Sequence, residues 1–245
     1  MGYADEFYTV IRSNDSGGYF PSNTTSDFYV RLPHMMDLHG DWCVGVNEIW
    51  LTKHWYNVTD VYIELCLSGD EDEYEKYPIV NGYYDNEQLL SELNNVANNA
   101  SEGCVSFTYN VRTSRVFINT KKNLVKVKLS AKLCSIVGAE VGRVITGSWA
   151  SEYVMDVHKQ DRMIYVHCDM ITGQLFSDNI LPVLKVMDTT QVGFGQVLHD
   201  NTLSSYADVY KKTFDVIHIE MCDAIGKQIK FEGGHAVIQL HFRRR

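Results

Sequence analysis

The chain has 245 residues, of which 45% are hydrophobic, and its formal net charge is −9 at neutral pH. This length and hydrophobic content allow one large all-β domain or two small ones, with a real core, and they exclude wholesale disorder. The acidic balance argues against a surface that binds nucleic acid as a whole, because phosphate neutralisation needs a basic footprint.

Five segments alternate apolar and polar residues with a period of two, which predicts antiparallel strands with one face on a core. Their apolar faces are Phe28, Val30 and Leu32; Val61, Ile63, Leu65 and Leu67; Val125, Val127 and Leu129; Ile164, Val166, Cys168 and Met170; and Ala236, Ile238, Leu240 and Phe242. With less regular segments added, strands are predicted at about 7–11, 28–32, 42–51, 61–67, 104–109, 115–119, 124–129, 162–170, 181–187, 213–221 and 235–242. Turn residues at 13–18, 37–41 and 223–226 separate several of them.

The strand predicted at 42–51 changes phase along its length. Trp42, Val44 and Val46 share one face, but the next apolar residue, Ile49, falls on the other, which leaves Glu48 towards the core. A β-bulge would resolve this conflict by re-aiming the chain.

Glu48 would then need a partner, because a lone buried carboxylate is very unfavourable. Candidates are a basic side chain such as Arg31 or Lys53, or backbone N–H groups that the bulge leaves free. The alternative is a strand that twists early and leaves Glu48 in solvent.

Two interruptions are predicted to be helical. Asp85 or Asn86 can cap a helix at about 85–98, with apolar residues at three- and four-residue spacing. These apolar residues are Leu89, Leu90, Leu93 and Val96. A shorter helical turn is expected between Ser130 and Gly138, whereas residues 139–160 give no clear pattern.

Ten or so strands with one inserted helix predict an all-β, antiparallel Greek-key sandwich, of which the single jelly roll is the commonest form at this length. No linker divides the sequence, so we expect one domain over 1–245 with the helical insertion at about 85–98.

The motifs of catalysis and metal binding do not occur. Gly193 and Gly195 do not make a phosphate loop, and no G-x-S-x-G elbow is found. His235 and His241 share the polar phase of one strand but stand about 20 Å apart along it, so solvated histidines are favoured over a metal site. We therefore expect no catalytic residue, cofactor or metal. The acidic run 70–75 is typical of a solvated loop rather than a calcium site.

The compartment is indicated by the N-terminus and the cysteines. No basic stretch followed by an apolar one is present, so secretion is not expected, and no segment is long and apolar enough to span a membrane. The six cysteines are widely spaced without a C-x-x-C pair, which favours reduced, buried thiols. The basic cluster 243–245 is the one candidate for contact with nucleic acid or with an acidic partner surface, and a frayed tail is the alternative.

Several stretches also match a known pattern. Residues 23–32 read N-x-x-S-x-F-x-V-x-L, residues 38–42 read L-x-G-x-W, and an E-I pair follows at 48–49. Further matches in the same order are 83–94, 129–130, 136–138, 164–169, 181–184, 214–219, Asp223, Gly226, Phe231, Gly233 and 240–244. Together they resemble the minor capsid (penton) proteins of Polinton/Maverick elements and of the related adintoviruses.

This resemblance implies a structural virion protein and not an enzyme. The chain would be a single jelly roll that forms homopentamers at the fivefold vertices of an icosahedral capsid, beside a double jelly-roll major capsid protein and other minor capsid proteins. It would be assembled in the host nucleus or cytoplasm, without cofactor or membrane. The family-motif residues, expected to be structural, are Phe28, Val30, Leu32, Trp42, Glu48, Asp223, Gly226, Leu240 and Phe242.

Two other classes compete with this interpretation. A jelly-roll carbohydrate- or receptor-binding module would need an exposed aromatic platform, for which Trp50 and Trp55 are the only close pair. An enzyme of the cupin type is disfavoured because its histidine spacing is missing.

Overall fold

The computed structural model describes residues 5–67, 73–121, 125–176, 178–202 and 205–245. The first part of the acidic run 70–75 and the start of the strand predicted at 124–129 lie outside these ranges. The elements, in chain order, are β1 (Glu6–Arg12), β2 (Asp27–Asp37), β3 (Trp42–Thr52), β4 (Tyr62–Cys66), β5 (Glu75–Pro78), α1 (Asn86–Ser101), β6 (Val105–Asn110), β7 (Arg115–Thr120), β8 (Lys126–Leu129), α2 (Ala131–Val137), β9 (Ser148–Ala150), β10 (Met163–Cys168), β11 (Gln174–Phe176), β12 (Asn179–Leu181), β13 (Val183–Asp188), β14 (Val197–Asp200), β15 (Ala207–Asp208), β16 (Thr213–Cys222) and β17 (Val237–Arg244).

The chain forms two compact units. Unit 1 consists of Met1–Trp55 and Gln160–Arg245, and unit 2 consists of Tyr56–Lys159. In sequence, unit 2 therefore interrupts unit 1 between β3 and β10. The helix expected as an insertion at about 85–98 is α1, and it is one element of this larger unit. Neither described helix is long and apolar enough to cross a membrane.

Unit 1 contains two main antiparallel sheets. The first sheet has the order β1-β17-β3-β14, and β15 pairs with another stretch of β3; the second sheet has the order β13-β10-β16-β2. The chain passes from β1 in the first sheet to β2 in the second and returns to β3. It then supplies β10 and β13 to the second sheet, β14 and β15 to the first, β16 to the second and β17 to the first. This alternation between two sheets is that of a jelly roll, so the predicted fold class is confirmed.

The core of unit 1 lies between its two sheets. Phe28 on β2 and Ile217 on β16 enter it from the second sheet, and Leu240 and Phe242 on β17 enter it from the first. All four side chains are fully buried, and each contributes about 1.5–3 kcal/mol of hydrophobic stabilisation. The inward faces predicted from the alternation of β2, β10 and β17 are confirmed.

The β-bulge predicted in β3 is present. Gln239 of β17 lies opposite Glu48, whereas the next residue, Leu240, lies opposite Val46, so Asn47 is the extra residue. The Asn47 side chain donates a hydrogen bond of 2.6 Å to the amide oxygen of Gln239. The bulge lets the apolar residues on both sides of it reach the same core.

A buried ion pair connects the two sheets of unit 1. Lys185 Nζ on β13 lies 2.9 Å from Asp200 Oδ1 at the end of β14, and their side chains are 4% and 14% exposed. Lys185 also donates a hydrogen bond to the Thr202 carbonyl oxygen, and the Thr202 N–H and hydroxyl donate to Asp200. Burial opposes ionisation of Asp200, but the hydrogen bonds from Thr202 and Lys185 outweigh it, so the pKa of this carboxyl is lower than usual.

Unit 2 contains two three-stranded sheets, ordered β5-β4-β8 and β6-β7-β9, together with both helices. Helix α1 begins with a capping box, in which Asp85 accepts from the Gln88 N–H and Gln88 accepts from the Asp85 N–H. Asn94 attaches the helix to β6, because its side-chain amide hydrogen-bonds both the N–H and the carbonyl of Phe107. The predicted helix and its Asp85 cap are confirmed.

The second predicted helix, α2, ends at Gly138, which has a left-handed backbone with φ of 79°. A Cβ at this position would lie 2.3 Å from the Tyr153 carbonyl oxygen, so only glycine fits. Tyr153 N–H also donates to the Gly138 carbonyl, and Asp156 N–H donates to Ile136. Backbone hydrogen bonds of this kind order part of the segment 139–160. Because such bonds do not depend on the type of side chain, the sequence of this segment shows no pattern typical of a strand or a helix.

Six short strands were not predicted, namely β5, β9, β11, β12, β14 and β15, each of two to four residues. A period of two cannot be recognised over so few residues, and pairing with a neighbour is what makes them strands. The six cysteines are free thiols, of which only Cys104 is partly exposed, as expected from their spacing.

Candidate assembly surface

The apolar motif residues lie in the core of unit 1. Phe28, Val30, Trp42, Leu240 and Phe242 are buried, and Leu32 packs against the same cluster. Trp42 donates its indole N–H to the His39 carbonyl oxygen at 3.0 Å, and its ring lies 5.6 Å from Phe7. The predicted core position of Trp42 is confirmed, and all six side chains pack in the core cluster of unit 1.

Asp223 and Gly226 form the turn after β16. The Asp223 carboxylate accepts hydrogen bonds from the N–H groups of Ile225 and Lys227, at 3.0 and 2.8 Å. Gly226 has a φ of 78°, which glycine adopts at little cost, and its N–H donates to the Asp223 carbonyl. This motif pair therefore directs the chain from β16 towards β17.

Glu48 has a partner different from those expected. It is partly exposed, and its Oε2 lies 3.6 Å from His199 Nε2 on the adjacent strand β14. The two expected side-chain partners were wrong, because Arg31 belongs to the second sheet and Lys53 pairs with Asp161. The bulge at Asn47 turns the Glu48 carboxylate away from the core. Its ion pair with His199 lies at the surface, and such a pair contributes little to the stability of the fold.

A tyrosine–histidine cluster, formed by Tyr8, Tyr206 and His241, lies on the outer face of the first sheet. His241 was expected to be solvated but is only 8% exposed, so this expectation was wrong. The ring of Tyr8 stacks on it at 4.3 Å, and the Tyr206 hydroxyl lies 2.7 Å from its Nδ1. Glu6 Oε2 lies 3.3 Å from its Nε2. His235 is exposed and precedes β17, so the two histidines do not meet.

The C-terminal arginines interact within the chain. Arg243 places its guanidinium 3.8 Å from the centre of the Tyr206 ring. Arg245 Nη2 lies 2.7 Å from Asp208 Oδ1, and β17 extends to Arg244. The C-terminal arginines therefore lie at the end of a paired strand and do not form the frayed tail that was considered from the sequence.

The second sheet carries an exposed apolar patch at one edge, which we call the hairpin patch and define as Tyr165, Leu175, Phe176, Ile180 and Val186. Strands β11 and β12 form a hairpin in which Leu175 and Ile180 are paired, and these side chains are 82% and 73% exposed. Phe176 packs edge-on against Tyr165 at 5.3 Å, and Val186 on the edge strand β13 lies beside Tyr165.

Exposed apolar residues that cluster in this way are uncommon on a monomer and mark interaction surfaces. A two-stranded hairpin is only marginally stable alone, and an edge strand offers unpaired backbone groups to another chain. The hairpin patch therefore has the composition and the position of an assembly surface.

The aromatic pair that a carbohydrate-binding module would need is not exposed. Trp55 is buried, with the Phe231 ring edge-on at 5.2 Å and Lys53 Nζ 5.5 Å from its centre. Trp50 is half-buried and stacks on His199 at 4.9 Å. These two tryptophans do not form a platform for a sugar ring.

One group of three side chains in the described residues could share a cation. His167, Glu220 and Cys222 place their ligand atoms within 4.8 Å of one another. The sequence did not single them out, because they lie on two strands whose register is visible only in the fold. The sequence did contain one signal. The alternation of apolar and polar residues places His167 on the outer face of β10, and it places Glu220 and Cys222 on the outer face of β16.

No protein-family model matches the sequence, and no curated protein matches it. The fold is similar to that in a crystal structure of the penton protein of mavirus, a Maverick-related virus, with a TM-score of 0.50 and 12% sequence identity. The match covers 97% of this chain and 98% of the mavirus chain, so both units take part in it. At this identity the likeness establishes the fold. The structural comparison therefore confirms, at the level of the fold, the resemblance that the sequence motifs indicated.

Proposed function

We propose that the protein is a minor capsid (penton) subunit that forms homopentamers at the fivefold vertices of an icosahedral capsid, beside a double jelly-roll major capsid protein. The observation that carries this proposal is the fold shared with the mavirus penton protein over nearly the full length of both chains. The similar protein is a capsid component, which favours a structural role over catalysis. The chain would then be part of the virion and be assembled in the host nucleus or cytoplasm.

The hairpin patch supports self-assembly on physical grounds. Leu175 and Ile180 are largely exposed, and covering each of them would contribute about 1.5–3 kcal/mol. An interface between subunits buries on the order of 1,000 Å² or more in total, so the patch can be its apolar centre but not its whole area. Closed rotational symmetry is expected, because contacts between copies that do not close produce filaments.

Particle mass tests the proposal directly. Mass photometry of the purified chain at micromolar concentration, alone and with the major capsid protein, should show a species of five chains. Only monomers under both conditions would contradict the pentamer. A monomer with affinity for sugars would instead favour the carbohydrate-binding module.

A matched pair of variants tests the surface. The double substitution Leu175→Asp and Ile180→Asp should shift the mass towards monomer, because it places charges in the apolar centre of an interface. Val111→Asp is the control, since Val111 is equally exposed but lies in the β6–β7 turn of unit 2. If both variants dissociate the assembly equally, or neither does, the hairpin patch is not the interface.

A further inference from the structure

The outer face of the second sheet carries a His–Glu–Cys group on its two central strands. His167 on β10 and Glu220 on β16 are directly opposite each other, and Cys222 follows two residues later on the same face of β16. His167 Nδ1 lies 4.0 Å from Glu220 Oε2, and all three ligand atoms lie within 4.8 Å of one another. Antiparallel pairing thus brings an imidazole, a carboxylate and a thiol to one point.

From this geometry we propose that His167, Glu220 and Cys222 bind a zinc-class divalent cation, with water as the fourth ligand. Zinc takes histidine nitrogen and carboxylate oxygen at about 2.0–2.2 Å and cysteine sulfur at about 2.3 Å. Tetrahedral ligand atoms are then about 3.5 Å apart, so separations of up to 4.8 Å need to shrink by up to about 1.3 Å. The side chains of Glu220 and His167 are both partly exposed, so their rotation can bring the ligand atoms closer together.

The surrounding charges favour a cation. Glu220, Asp223 and Asp27 all act electrostatically on the Cys222 side chain, so negative charge surrounds the position that the cation would occupy. A neutral imidazole has a nitrogen lone pair to donate to a metal, so His167 can serve as a ligand. Asp27 is itself 2.7 Å from His218 Nε2, whereas Glu220 has a carboxylate oxygen within 4.8 Å of both the thiol and the imidazole.

The thiol also determines which metals fit. Binding converts the Cys222 S–H to a thiolate that donates its electron pair to the metal, and one proton is released to solvent for each metal bound. Hard cations such as Mg²⁺ and Ca²⁺ prefer oxygen ligands and gain little from sulfur. Zn²⁺ and its spectroscopic substitute Co²⁺ bind sulfur and nitrogen, so they are the expected occupants.

A Co²⁺ titration of the chelator-treated full chain tests the site, with absorption as the readout. One Co²⁺ per chain should bind and produce the near-ultraviolet charge-transfer band of a cobalt–thiolate bond, and Zn²⁺ should abolish the band while excess Mg²⁺ does not. Zn²⁺ should also raise the melting temperature of the chain. Absence of a thiolate band overturns the proposal, whatever the assembly state of the protein.

Variants identify the ligands. Cys222→Ser and His167→Gln should each remove the thiolate band, and Glu220→Gln should weaken Co²⁺ binding. Cys104→Ser is the control, because Cys104 is the most accessible other thiol and lies in unit 2. Cys222 is buried, so far-ultraviolet circular dichroism is used to check that Cys222→Ser folds. If this variant does not fold, His167→Gln provides the test, because the His167 side chain is partly exposed. A band that survives His167→Gln, or that is lost in Cys104→Ser, would refute the site.

Discussion

Replacing Lys185 with methionine would remove the positive charge of the buried pair between the two sheets and keep a side chain of similar length. At 2.9 Å and an effective dielectric constant of about 20, the gross attraction to Asp200 is about 6 kcal/mol, and desolvation of both charges offsets part of it. Breaking a buried pair from one side costs roughly 3–5 kcal/mol. Because Thr202 still donates two hydrogen bonds to Asp200, we expect a loss of about 3 kcal/mol.

Urea denaturation followed by tryptophan fluorescence measures this loss. Substituting Trp149 with phenylalanine in every protein removes the only tryptophan of unit 2, so the signal reports unit 1. Lys212→Met is the matched control, since Lys212 forms an ion pair of 3.5 Å with Asp41 in which both side chains are largely exposed. Such a pair contributes less than about 1 kcal/mol.

The combination Lys185→Met with Asp200→Asn completes the test. It removes both charges, so it should be less destabilised than Lys185→Met alone, in which one charge stays buried without its counter-ion. If Lys185→Met lowers the free energy of unfolding no more than Lys212→Met does, the reasoning about the buried pair is refuted.

Three further outcomes are expected. The lowered pKa of Asp200 stabilises the folded chain above about pH 4, and this stabilisation is lost as the pH falls through that pKa. Lys185→Met removes one of the groups that lower this pKa. In urea denaturation at pH 2–6, the variant should therefore lose less stability on acidification than the unchanged protein. Trp42→Ala should cost roughly 3–5 kcal/mol by leaving a core cavity, and a melting temperature lowered by only a degree or two would contradict its core position. Gly138→Ala should lower the urea midpoint further than Gly142→Ala. Both glycines have left-handed backbone, which costs an alanine roughly 1–2 kcal/mol. Of the two positions, only Gly138 has backbone atoms that an added Cβ would meet. Equal effects would show that the segment beyond Gly138 adapts.

The sequence by itself determined the regular elements, because their signals are local. Alternation with a period of two identified the strands and their inward faces, from Phe28 in β2 to Phe242 in β17. Asp85 predicted the start of α1, and the phase change around Glu48 predicted the bulge. Each of these depends on neighbours within a few residues, where backbone geometry alone fixes which way a side chain points. Motif order likewise indicated the fold that the mavirus penton protein shares.

Only the tertiary structure decided which polar residues meet. Glu48 pairs with His199 rather than with Arg31 or Lys53, since strand order places β14 beside β3. His241 is buried because Tyr8 and Tyr206 come from strands and loops distant in sequence. The His167–Glu220–Cys222 group requires the register of β10 against β16, and a shift of one residue would turn these side chains to opposite faces. The division into two units and the exposed Leu175–Ile180 pair depend in the same way on packing between distant segments, which no local pattern encodes.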